Sequence, residues 1–135
     1  MTPLSASVPL PAAAELHRWT LDEFGDLREL RAALRTALPT AATLDELADR
    51  VAVVATELAT NALRHGLPPT VVRLLRTDNL LILDVSDHDR EGRPRLAERP
   101  LGAGGLGLRL TRTFAVDVGW YTTEATKHVW ASFAG

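Results

Sequence analysis

One stretch of apolar periodicity constrains this chain more than any other feature. Leu44, Leu47, Val51, Val54, Leu58 and Ala62 recur at spacings of three and four, which places them on one stripe of a helix. Thr43 precedes the run as an N-cap, with Glu46 three residues on, the spacing of a capping box. Gly66 supplies a stop signal, and Pro68-Pro69 forbids continuation. The pattern predicts a helix from about Thr43 to His65, roughly 20 residues long. An apolar stripe of that length has to be buried against a second layer.

The rest of the chain supplies that layer. Leu16 to Leu21 alternates apolar and polar residues and predicts a short edge strand. Phe24 to Leu38 predicts a first helix, with Leu27, Leu30, Leu34 and Leu38 as its stripe and Pro39 as its end. Thr70 to Arg76 and Leu80 to Val85 flank Thr77-Asp78-Asn79 as a hairpin. Asp87 to Pro100 is polar and carries Arg90, Arg93, Arg95 and Arg99; its length suits a lid or binding loop better than a plain connector. Gly102, Gly104, Gly105 and Gly107 crowd the start of an apolar helix through Leu106, Leu108, Leu110 and Phe114. Val116 to Thr122 and His128 to Phe133 predict a closing pair of strands. The fold class expected is α+β: helices packed on one face of a mixed, mostly antiparallel sheet. Residues 1–14, rich in Pro, Ala and Ser, read as a flexible N-terminal arm, and residues 15–135 as one domain.

Composition narrows the chemistry. The 135 residues are 46% hydrophobic and 24% charged, which fits one globular domain. There is no cysteine, so disulfides, thiolate catalysis and cysteine metal sites are excluded. The formal charge of -2 gives no overall field that draws the protein to nucleic acid or an anionic membrane, while its arginines leave a local basic patch open. No apolar run reaches the length of a bilayer span, and Met1 to Leu10 lacks the features of a signal peptide. A cytoplasmic location is expected. Of the 15 positive residues only Lys127 is lysine, so phosphate contacts would fall to arginine, backbone amides and metal.

Three groups of residues carry chemistry. Glu57, Asn61 and His65 stand four apart on one side of the second helix, beside the core stripe. An acid and an amide at a core boundary cost desolvation unless they are paired or hold an ion. The carboxylate can take a proton from an attacking hydroxyl, and the amide oxygen suits magnesium; a helix's polar shoulder is the alternative. The run Gly102-Ala103-Gly104-Gly105-Leu106-Gly107-Leu108 opens a helix, where freed amides make a phosphate site. It is neither a Walker loop nor a dinucleotide fingerprint, because no Gly-Lys-Ser/Thr follows and a long polar loop leads in; a plain glycine loop is the alternative. Asp87 follows a strand and can meet the polar edge of a ligand, or serve as a turn residue. His88, Asp89 and His128 lack zinc-ligand spacing.

In this order the motifs resemble the GHKL-type, histidine kinase-like ATPases, and most nearly the anti-sigma-factor serine kinases and the stand-alone actinobacterial ATP-binding regulators. Val54 to Gly66, containing Glu57, Asn61, Arg64 and His65, looks like the family's N box. Asp87 in Val85-Ser86-Asp87 sits where the adenine-binding aspartate belongs, and Gly105-Leu106-Gly107-Leu108 looks like the second glycine box. Lys127-His128-Val129-Trp130 resembles the closing strand. The resemblance spans about residues 24–134.

The resemblance implies a Bergerat-type two-layer sandwich with ATP and Mg2+ as cofactors. It implies Glu57 as general base, Asn61 as magnesium ligand and Asp87 as partner of the adenine amino group. Gly104, Gly105, Leu106, Gly107 and Leu108 would cradle phosphate, with Arg64 and His65 on the same rim. The implied activity is a regulatory serine/threonine kinase acting on an anti-sigma-factor antagonist-like protein, with a sigma factor and a second copy of the chain as further partners. Two departures from the family pattern support an alternative, a catalytically degenerate protein-binding switch. Asp89 and Glu91 stand where the first glycine box has glycines, and His128 stands at the closing strand's threonine.

Overall fold

The computed structural model describes residues 13–38, 45–89 and 114–134. Strand β1 (Ala14–Leu21) leads to helices α1 (Asp26–Ala37) and α2 (Asp45–His65). The hairpin of β2 (Thr70–Arg76) and β3 (Leu80–Asp87) follows, and β4 (Asp117–Thr122) and β5 (Lys127–Ala134) close the chain. The five strands lie in the order β1-β2-β3-β5-β4, and all four pairings are antiparallel.

Local chemistry sets the boundaries. The Asp26 carboxylate accepts from the backbone amides of Asp22 and Glu23, at 2.9 and 3.2 Å, and so fixes the entry to α1. The hairpin turn is tied by Thr77, whose amide donates to the Leu80 carbonyl and whose hydroxyl accepts from the Leu80 amide. β1 begins at Ala14, inside the stretch read as an arm, and β3 runs two residues past Val85 to end on Asp87. Thr43, the N-cap expected for α2, and the glycine-led third helix lie outside the described residues, except for Phe114, which is helical.

Leu27, Leu30 and Leu34 of α1 and Val51, Val54 and Leu58 of α2 pack on the inward face of the sheet, against Val72, Leu74, Leu83, Val85 and Phe133. Each such side chain contributes about 1.5–3 kcal/mol when fully buried, so truncating Leu34 or Leu58 to alanine would cost about 2–5 kcal/mol. Strand alternation sends the intervening residues to the other face, where Leu75, Ile82, Tyr121 and Trp130 form a second cluster. The architecture is the expected α+β sandwich with helices on one face. Among the described residues no helix is long and apolar enough to cross a membrane.

Candidate functional site

The last turns of α2 carry Glu57, Asn61, Arg64 and His65. At about 100° per residue, Asn61 lies about 40° and His65 about 80° around the helix from Glu57, so the three form one oblique row. Glu57 and Asn61 are half-buried, and Arg64 and His65 are exposed. Burial raises the proton affinity of the Glu57 carboxylate, and the Arg64 charge pulls it partly back. The Asn61 amide has no hydrogen-bond partner among the described residues.

Asp87 is buried at the end of β3, on the helix-facing side with Leu81, Leu83 and Val85. Two features bring it to the end of α2. The Asp87 carboxylate lies directly over Gly66, where a β-carbon would fall 2.6 Å from Asp87 Oδ2. The His88 amide donates to the Leu67 carbonyl at 2.9 Å, tying the chain after β3 to the chain after α2. The N-box helix and the candidate adenine-binding acid therefore meet at one corner of the sandwich. Both carboxylate oxygens are engaged: Oδ1 accepts from the Asp89 amide at 2.7 Å, and Lys127 Nζ stands 3.5 Å from Oδ2, with both side chains buried.

The role of Lys127 was not legible in the sequence, where His128 stood out as the departure from the closing strand's threonine. Across the β3–β5 ladder Asp87 is opposite Lys127, and His128 is opposite Ser86, so His128 faces the other side of the sheet. There its Nδ1 lies 2.8 Å from Asp84 Oδ2, and its Nε2 lies 2.7 Å from Thr126 Oγ1. Asp84 is fully buried and also accepts from the Arg73 guanidinium and the Tyr121 hydroxyl. The Tyr121 and His128 rings stack with centroids 4.6 Å apart. Burial and the Asp84 charge together raise the Tyr121 proton affinity. The histidine at the threonine position thus belongs to a structural network on the face of the sheet away from Asp87. An in-strand count could have separated the two faces, but the ladder register depends on how the chain returns from residues 90–113.

Gly104, Gly105, Leu106, Gly107 and Leu108, the candidate phosphate cradle, lie outside the described residues, as does Glu91. Among the described residues no three His, Asp or Glu side chains gather as a metal cluster. Magnesium at a nucleotide site commonly takes one or two protein oxygens and completes its shell with phosphate and water, and the Asn61 amide, without a partner among the described residues, fits that demand. A family model described as histidine kinase-like ATPase domain matches residues 21–133, from the end of β1 into β5. No curated protein matches the chain.

Proposed function

Because the chain belongs to the histidine kinase-like ATPase domain family, an ATP-binding GHKL fold, we propose that it is a regulatory serine/threonine kinase acting on an anti-sigma-factor antagonist-like protein. The observation that carries the catalytic part is Glu57. It is a half-buried carboxylate of raised proton affinity, one helical turn from an amide that has no hydrogen-bond partner among the described residues. A carboxylate held in this way takes a proton from a hydroxyl better than a fully solvated one.

In this reading Asp87 accepts the adenine amino group, and Asn61 holds magnesium, which when bound neutralises charge on the phosphates. Gly104 to Leu108 supply backbone amides to the phosphates. Arg64 lies on the rim, about two turns beyond Glu57. Glu57 orients the substrate hydroxyl and removes its proton, so the protein contributes mainly positioning and charge placement. A sigma factor as second ligand and a homodimer paired through the outer edge of β1 belong to the same reading.

One observation favours a second reading, a protein-binding switch without kinase activity. Both oxygens of Asp87 already have partners, in the Asp89 amide and Lys127, so adenine would have to share that carboxylate. Phosphate transfer from MgATP to the cognate antagonist separates the readings. Transfer that is lost in Glu57→Gln supports the kinase; tight MgATP binding without transfer overturns it.

A further inference from the structure

Arg28, Arg31 and Arg35 stand three and four apart along α1. At about 100° per residue they fall within a sector about 60° wide. All three are exposed, and they wall a cavity of 580 Å³ between α1 and α2, whose far wall includes Thr56 and Glu57 over a floor at Ala52. Arg35 reaches Asp49 at 3.3 Å, but both side chains are mostly in solvent, where an ion pair holds little. Arg28 and Arg31 have no ion pair among the described residues. Like charges at this spacing repel and weaken the helix.

The groove adjoins the proposed catalytic acid. Around α2, Val53 and Thr56 lie on one side of Glu57 and Asn61 on the other. Glu57 therefore stands on the ridge between the groove and the side from which Asn61 would meet a nucleotide. A chain lying in the groove approaches Glu57 from the α1 side.

We propose that the α1–α2 groove docks the protein substrate and takes an acidic segment beside its acceptor hydroxyl. The role of the hydroxyl rests on the kinase reading; the docking of the acidic segment does not. The charge pattern selects this occupant. The cationic row is central, with Asp49 near one end and Glu57 near the other. A peptide with acids in its middle and a neutral hydroxyl at the Glu57 end matches that pattern, whereas a uniformly charged polyanion sets negative charge against both acids. A cavity of this volume is within the range of specific ligand sites.

The test is fluorescence anisotropy of the full chain with three short labelled serine peptides, identical except for acidic, neutral or basic flanks. The acidic peptide should bind at least about tenfold tighter than the neutral one, and the Arg28→Glu/Arg31→Glu variant should lose about tenfold while keeping its MgATP affinity. The milder Arg28→Ala/Arg31→Ala variant should fall between, and the charge-reversed variant should gain affinity for the basic peptide. Equal binding of the acidic and neutral peptides, or no loss in either variant, would overturn the proposal, as would an oligonucleotide of matched charge binding as tightly as the acidic peptide. Glu57→Gln keeps the two readings apart: lost transfer with intact peptide binding bears on catalysis, and lost peptide binding with intact MgATP binding bears on the groove.

Discussion

Gly66 and Asp87 are packed so closely that no side chain fits between them. A β-carbon on Gly66 would sit 2.6 Å from Asp87 Oδ2 and 2.7 Å from the Ala62 carbonyl oxygen. One neighbour is buried carboxylate and the other is helix backbone, so neither can yield cheaply. The end of the N-box helix thus depends on glycine for the position of the acid proposed to read adenine.

Gly66→Ala should therefore lower stability by about 1–3 kcal/mol through overpacking and weaken MgATP binding more than tenfold by shifting Asp87. Denaturant melts and calorimetry read the two effects separately. An alanine variant with native stability and native affinity would contradict the packing relationship.

Lys127 is the buried partner of Asp87, at 3.5 Å. Lys127→Met leaves that carboxylate buried and uncompensated, which should cost about 3 kcal/mol. The Asp87→Asn/Lys127→Met double variant should lose less than the sum of the singles, because the two side chains share one interaction. Urea denaturation of the four proteins closes the cycle, and strict additivity would show that the pair is not coupled.

These two contacts also mark where the sequence stopped being informative. The elements themselves were legible: the leucine stripe of α1, the apolar stripe of α2 and the Thr77-Asp78-Asn79 turn are local patterns, and each predicted its element to within a few residues. Glu57, Asn61 and Asp87 were legible as candidates because their spacing and strand-end position are also local. That Lys127 rather than His128 faces Asp87 was not legible, since a one-residue change in ladder register exchanges the two faces. The Asp84 network was missed for the same reason. Asp84, Arg73, Tyr121 and His128 come from four strands, and no spacing in the chain announces that they meet.

Glu57→Gln should raise stability near neutral pH while abolishing phosphate transfer. Burial makes the folded protein hold the Glu57 proton more tightly than the unfolded chain does, so ionised Glu57 penalises the fold above its folded-state pKa. The penalty shrinks as pH falls and disappears below the unfolded carboxylate range. Because Glu57 is half-exposed, the gain should be under about 1 kcal/mol. Thermal melts of native and variant protein should differ near neutral pH and converge at about pH 4 or below; a variant less stable at every pH would contradict the assignment.

Asp84→Ala should cost more than about 3 kcal/mol, since it strands the Arg73, Tyr121 and His128 donors around a fully buried position. His128→Gln, which removes the ring but keeps a polar group, should cost less and leave MgATP affinity unchanged, because His128 faces away from Asp87. A His128 variant that folds but fails to bind nucleotide would place the histidine in the site after all.

The measurement that bears most directly on the account is calorimetric titration of MgATP into the native chain and into Asp87→Asn. The account predicts micromolar binding to the native protein and none that is measurable in the variant. No binding to the native protein at millimolar MgATP, or equal affinity in the two proteins, would contradict it.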